Sequence, residues 1–201
     1  PKVSDKYGLD FYTFKADWRR YYKLNKDLTL ALRVSGGFSG GEQPQHFLLG
    51  GMRGWMNYRY SKIPSNYFQN SLYFFSTLET PLRGSLYYEM VGTRFLLTNI
   101  ELRFPLVRYL ILGWPLPIGF QNIRSAVFLD MGSAWSHDKS WKPFTGAEMG
   151  SPVLQDMVAG FGFGLRMNAG FLLLKYDLAW QTDFSGVSSS PVNYWTLSAE
   201  F

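Results

Sequence analysis

The sequence predicts an all-β fold, an antiparallel transmembrane β-barrel, from three observations. Aromatic residues, which favour strands, make up 18% of the 201-residue chain, and the chain also contains 20 glycines. This composition indicates strands rather than helices. Long segments alternate apolar and polar residues with a period of two. No apolar run approaches the roughly 18 residues of a membrane-spanning helix, whereas alternating strands cross a bilayer without producing such a run.

Seven segments carry this alternation. In the second, Leu28, Leu30, Leu32 and Val34 alternate with polar or small residues such as Thr29 and Arg33. Several of the segments are longer than the usual globular strand and fit the roughly 9–11 residues that a tilted strand needs to cross a membrane. The predicted strands span residues 9–24, 28–35, 94–104, 123–135, 157–167, 171–181 and 192–201.

Short turns alternate with long loops between these strands. The alternation is lost over residues 36–93, which we interpret as one long loop, and a polar loop covers residues 136–155. Loops of this length tend to be functional. Residues 105–121 are predicted to be an apolar connection, because their three prolines do not suit a central strand.

Alternation alone does not distinguish a membrane barrel from a soluble β-sandwich or a small ligand-binding barrel, in which the apolar face points inward. Strand length, aromatics near strand ends and the order of short turns and long loops favour the membrane barrel. The net charge of +5 is modest and its basic residues are scattered, so no nucleic-acid partner is predicted.

The most unusual loop segment is 47–55, in which Gly50 and Gly51 are followed by Arg53, Gly54 and Trp55. Most loop arginines are simply solvated. Here the glycines allow close backbone approach, and the guanidinium fork favours a carboxylate partner.

The carboxylate that we expect to meet Arg53 is Asp130, because it lies in an apolar strand segment where an unpaired charge would be unfavourable. Glu101 is the alternative acid, and Arg59 is the alternative arginine. Gly160, Gly162 and Gly164 share one strand face; they have strand period and no following helix, so they do not form a phosphate loop. They indicate close approach of another backbone, which we expect to be the long loop.

Nothing in the sequence singles out an enzyme. The two histidines, His46 and His137, lie in the long loops without an arranged nucleophile, and there is no cysteine. Acidic residues that converge on the inner face are interpreted as lumen polarity. We therefore predict no catalytic residue, no metal site and no cofactor.

The motifs also resemble a known family. Leu49-Gly50-Gly51, an Arg-Gly-aromatic, Glu101-Leu102-Arg103-Phe104-Pro105, Phe128-Leu129-Asp130-Met131-Gly132 and a terminal Phe follow one another in the order seen in the C-terminal half of the barrel of the BamA/TamA superfamily, the bacterial surface antigen family. The family usually places a few more residues between the Gly-Gly pair and the arginine than this segment does.

The resemblance implies an outer-membrane barrel that inserts or secretes polypeptides. It also implies an extracellular loop folded back into the lumen, with an Arg-Gly-aromatic tip on an acidic residue. Membrane lipid, unfolded polypeptide clients and assembly lipoproteins would be its partners. The last strand resembles the assembly signal of barrel proteins, carried here by Trp195, Leu197, Ala199 and Phe201.

Two further expectations follow from the membrane barrel. Arginine at Leu30 or Ile100 should cost about 2–4 kcal/mol near the bilayer midplane, whereas changes at Thr29 or Asn99 should be mild. Seven antiparallel strands have two open edges, which lipid does not tolerate, so further strands are expected upstream of Pro1. A passive pore, an anchor for an upstream domain and a soluble β-domain that binds a ligand or partner remain the alternatives.

Overall fold

The computed structural model describes residues 9–58, 75–113, 118–138, 140–145, 153–169 and 172–199. Within these ranges the chain is all-β, and no helix is long and apolar enough to cross a membrane. The strands are β1 (Tyr12–Lys23), β2 (Thr29–Gly40), β3 (His46–Leu49), β4 (Ser76–Glu79), β5 (Met90–Gly92), β6 (Arg94–Leu112), β7 (Ile118–Trp135), β8 (Phe144–Thr145), β9 (Val153–Leu154), β10 (Val158–Ala169), β11 (Leu172–Thr182) and β12 (Val192–Ala199).

Seven of these strands form one antiparallel sheet in the order β1-β2-β6-β7-β10-β11-β12. The prediction of seven antiparallel strands is therefore confirmed. The seven strands lie in the sheet in the same order as along the chain. The segments that connect them are therefore hairpins or loops at the two ends of the sheet. The sheet, as the described residues show it, is open between β1 and β12.

The prediction of an irregular connection over 105–121 is wrong. β6 and β7 continue through most of it and reach 19 and 18 residues. Pro105 is accommodated because the pairing of the two strands shifts register between Pro105 and Val107, and a bulge tolerates a residue without an N–H donor. The other two prolines, Pro115 and Pro117, lie outside the described residues.

The two faces of the sheet have opposite character. We call the face that carries Asn99, Asp130, Gly160, Asp177 and Tyr194 the inner face, and all five residues are buried. The other face, the outer face, is apolar and open: its exposed residues include Phe14, Trp18, Val34, Phe38, Val127, Phe161, Phe163, Trp195 and Leu197. Polar residues are thus enclosed and apolar residues exposed, the reverse of a soluble sheet.

The segment 36–93 is not a single structureless loop. β2 extends to Gly40, because glycines at positions 36, 37 and 40 interrupt its side-chain alternation but not its pairing. Beyond it, β4, β3 and β5 form a three-stranded sheet in that order. This small sheet packs on the inner face through one apolar cluster that consists of Phe47, Leu49, Leu82, Phe95, Leu97 and Ala134, with Met90 and Val158 against it.

Candidate functional site: a buried arginine on the inner face

The site is built around a tight turn, Leu82–Ser85, which we call the tip. Its first residue pairs with the double glycine, since the Leu82 N–H donates to the Gly51 carbonyl over 3.0 Å. The Ser85 hydroxyl closes the turn by donating to the Leu82 carbonyl over 2.6 Å, and it accepts the Gly51 N–H over 3.1 Å. The small sheet and the Gly50-Gly51 segment thereby hold the tip against the inner face.

Arg83 at the tip is fully buried and is held by three carboxylates from three strands. Its Nε and Nη2 donate to the two oxygens of Asp130 on β7 over 2.6 and 2.8 Å. Nη2 also lies 2.7 Å from Glu101 Oε1 on β6, and Nη1 lies 3.4 Å from Asp177 Oδ1 on β11. The Arg83 backbone N–H donates to Asp130 as well, over 3.0 Å, so this carboxylate fixes both the side chain and the main chain.

The charges of the cluster balance. Arg103 pairs with Glu101, and Arg166 pairs with Asp177, so three guanidinium groups face three carboxylates. Burial by itself would lower the pKa of the Arg83 guanidinium, but the attraction of Asp130, Glu101 and Asp177 outweighs it and raises that pKa above its ordinary value. Arg83 therefore stays charged.

Neutral groups complete the enclosure of Arg83. The Phe128 ring lies beneath the guanidinium, with Cζ 3.5 Å from the ring centroid, which adds a cation–π contact. Asn99 donates to both Asp130 Oδ1 and the Pro81 carbonyl, over 2.8 and 2.9 Å. The Tyr194 hydroxyl accepts the Gly84 N–H over 2.9 Å and donates to the Ser85 carbonyl over 2.6 Å. Strands β6, β7, β11 and β12 all therefore contact the tip.

Glycine is required where the tip meets β10. A Cβ added to Gly160 would lie 1.8 Å from the Arg83 carbonyl oxygen, and Gly84, with φ +92°, lies directly above it. This is the close approach of another backbone that the glycine row indicates. The other two glycines have different neighbours: a Cβ at Gly162 would meet the Leu178 carbonyl, and one at Gly164 would meet the Asp177 carboxylate.

The expectation that Arg53 pairs with Asp130 is wrong, because the arginine at Asp130 is Arg83. Arg53 is exposed, and no hydrogen bond or ion pair joins it to another residue in the described part of the chain. Its neighbour Gly54 has open space around it, so no close backbone approach occurs there. Both acids named from the sequence, Asp130 and Glu101, do contact the tip arginine. Arg59, the alternative arginine, lies outside the described residues.

A signal for Arg83 was present in the sequence. Leu82-Arg83-Gly84 is a second Arg-Gly pair, which lies later in the same 36–93 segment than Arg53-Gly54. Ser85 follows Gly84, so this pair lacks the aromatic residue that follows directly in Arg53-Gly54-Trp55.

Trp55 and its neighbours contact the edge of the sheet. The Trp55 ring packs on Tyr194 with centroids 4.4 Å apart, and the Met56 N–H donates to the Trp195 carbonyl over 2.8 Å. Asn57 Oδ1 accepts the Trp195 N–H over 2.9 Å. Residues 55–57 thus cover the β12 edge around Trp195.

Two other sequence expectations concern strand residues. Asn99 is buried and bonded to Asp130 and to the tip, so we now expect its substitution to be destabilising rather than mild. Of the predicted assembly signal, Trp195 and Leu197 are exposed on the outer face. Ala199 ends β12, and Phe201 lies outside the described residues.

Comparison with known proteins identifies the family. A family model described as the Omp85 superfamily domain matches residues 6–190. The chain belongs to the Omp85 superfamily. Members of this superfamily are outer-membrane β-barrels that insert or translocate proteins, and the resemblance to the BamA/TamA superfamily is thereby confirmed. No curated protein matches the sequence.

The residues at the site do not point to a metal centre. Among the described residues, no group of three or more His, Cys, Asp or Glu side chains is placed to hold a metal ion. The three carboxylates at the tip are instead directed at Arg83 and at two further arginines. The ion pairs of the site therefore hold the tip against the inner face of the sheet.

Proposed function

We propose that residues 1–201 are the C-terminal part of a closed outer-membrane barrel that inserts or translocates polypeptides, without catalytic residues or cofactors. The observation that carries this is the inverted polarity of the sheet: Arg83, Asp130 and Asp177 are fully buried on the inner face, while apolar side chains cover the outer face. A membrane barrel has this arrangement, because its outer face meets lipid and its lumen is polar.

The segment between β2 and β6 is proposed to fold into the lumen, where Arg83 holds its tip. Ordering such a segment costs about 1–2 kcal/mol of backbone entropy per residue, so a specific attachment is required. The apolar cluster under the small sheet and the ion pairs of Arg83 supply it. A lumen occupied in this way favours a gated translocase over a passive open pore.

A functional test requires the full-length protein in proteoliposomes and a urea-unfolded β-barrel client. We expect the client to fold faster than in empty liposomes, and the channel to give small, unsteady currents in a planar bilayer. A large steady conductance without any acceleration would instead indicate a passive pore. Client folding that depends on purified periplasmic lipoproteins would identify assembly lipoproteins as partners.

Substitution on the outer face tests the membrane location itself. Val127 lies in β7 on the outer face with 51% of its surface exposed. In lipid, Val127→Arg should lower the free energy of unfolding by about 2–4 kcal/mol if the site lies near the midplane. In a soluble β-domain the same change at an exposed site would stay within about 0.5 kcal/mol.

The matched control for Val127→Arg is Val187→Arg. Val187 is similarly exposed, at 56%, but lies between β11 and β12 rather than within a strand. We expect little effect there. Denaturant unfolding of the two variants in the same vesicles gives the comparison, and equal effects at the two sites would contradict the membrane barrel.

A further inference from the structure

The outer face carries a groove of about 700 Å³ across β1, β2 and β6. Its floor is formed by two small residues in register, since Ala16 on β1 pairs with Gly36 on β2, and Gly36 is followed across the sheet by Leu96 on β6. Larger side chains rise on both sides of this row. The lining of the groove includes Phe14, Phe38, Trp18, Val34 and Trp135. A mostly apolar depression of this size can accommodate a hydrocarbon chain.

The groove has a cationic end. Phe38, Arg94 and Trp135 are cross-strand neighbours in one row on the outer face, and Arg94 lines the groove. Arg94 is the first residue of β6, directly after the long loop, so it stands where the apolar wall ends. Trp135 stacks on Trp141 at the same end, with ring centroids 4.7 Å apart. Tryptophans gather at membrane–water boundaries in this way.

Arg94 is oriented but not neutralised. Its Nη2 lies 2.8 Å from His137 Nδ1, which fixes one side of the guanidinium. Within the described part of the chain, no carboxylate forms an ion pair with it. A planar guanidinium at the membrane boundary that has no acidic partner among the described residues is suited to bidentate recognition of a phosphate oxygen pair.

We propose that this groove binds one phosphorylated membrane lipid, with an acyl chain along Ala16 and Gly36 and the phosphate on Arg94. The proposal rests on the barrel lying in the membrane, as argued under Proposed function. The charge of Arg94 selects the headgroup, and the shape of the groove selects the chain. Two independent substitutions therefore separate the two contributions.

The substitution at the floor is Gly36→Leu. Gly36 has no positive φ, and a Cβ added there would meet the Phe95 carbonyl oxygen at 3.3 Å and Leu96 Cδ1 at 3.7 Å, so the site accepts a side chain with a small adjustment. The leucine would fill the groove from below. The substitution at the cationic end is Arg94→Gln, which keeps a polar side chain and removes the charge.

The matched control is Arg20→Gln. Arg20 lies on the same outer face of β1, pairs with Leu32, and does not line the groove. The change removes the same charge from the same surface at a different place. A general loss of attraction between the protein and anionic lipid would appear equally in both arginine variants.

The experiment is native mass spectrometry of the full-length protein released from micelles that contain equal amounts of dioleoyl phosphatidylglycerol and dioleoyl phosphatidylcholine. We expect the unmodified protein to retain one phosphatidylglycerol about fivefold more often than phosphatidylcholine, since one basic residue at the membrane surface has roughly that effect. Arg94→Gln should lose the preference, Gly36→Leu should lose both lipids, and Arg20→Gln should behave as the unmodified protein.

Equal loss in the Arg94 and Arg20 variants, or no retained lipid in the unmodified protein, would overturn the proposed lipid site. Flotation of each variant with vesicles on a sucrose gradient reports membrane insertion separately. A protein that floats but retains no lipid contradicts only the groove. A protein that does not float contradicts the membrane barrel, and with it this site.

Discussion

Replacing Arg83 with alanine should lower the free energy of unfolding by about 3–5 kcal/mol, because it leaves buried carboxylates without their cation. Asp130 and Asp177 are fully buried, and Arg83 contacts both. Denaturant unfolding followed by heat-modifiable gel mobility gives the magnitude. Limited proteolysis of the 36–93 segment gives a second readout, because a released tip should expose this segment to cleavage while the sheet persists.

The control for Arg83→Ala is Arg53→Ala. Arg53 lies in the same segment but is exposed and has no described ion-pair partner, so its effect should stay within about 0.5 kcal/mol. Arg83→Lys should fall between the two. It keeps the positive charge but loses the fork that bonds both oxygens of Asp130, and it loses the flat contact with Phe128.

A double-mutant cycle of Arg83→Ala with Asp130→Asn isolates the pair. Residues in direct contact couple by about 0.5–3 kcal/mol, so the double variant should be less destabilised than the sum of the single ones. Strict additivity would mean that Arg83 and Asp130 do not hold each other in solution. The same cycle with Arg53→Ala in place of Arg83→Ala should show no coupling.

The strands were predictable from the sequence because an open outer face makes the alternation of side chains clean. In β2, for example, Leu32 and Val34 lie on the outer face while Ala31 and Ser35 are buried, and this period is visible without a structure. The same clarity fails where both sides of a strand are covered. The sequence of β3 is His-Phe-Leu-Leu, and its last three residues are all buried. β3 is the central strand of the small sheet and packs on the inner face, so both of its sides are covered.

The partner of Asp130 was not predictable from local features alone. The apolar neighbours Phe128, Leu129 and Met131 indicate that the carboxylate needs a cation, but they do not tell Arg83 from Arg53 or Arg59, the two arginines named as candidates. Tertiary contact distinguishes Arg83 from Arg53. Gly84 lies against Gly160 on β10, whereas Gly54 has open space around it. The glycine row on β10 indicates that another backbone approaches, but it does not identify which Arg-Gly pair that backbone carries.

The contact between the two glycines leads to the second large expected effect, that of Gly160→Ala. The new Cβ would lie 1.8 Å from the Arg83 carbonyl oxygen, which is backbone and has no rotamer through which to move away. The tip must then shift as a whole, and the ion pairs of Arg83 with Asp130 and Glu101 lengthen together. Overpacking of this kind costs about 1–3 kcal/mol, and the accompanying loss of ion pairs adds to it.

Gly186→Ala is the control for Gly160→Ala, because the atom nearest to its added Cβ is 3.8 Å away and its φ is not in the left-handed region. Its effect on unfolding should be within about 0.5 kcal/mol. Gly160→Ala should also expose the 36–93 segment to protease, as Arg83→Ala does. Combined in one chain, the two changes should cost little more than the larger of them, because both release the same tip. A double variant as unstable as the sum of the two would show that Gly160 and Arg83 act at separate places.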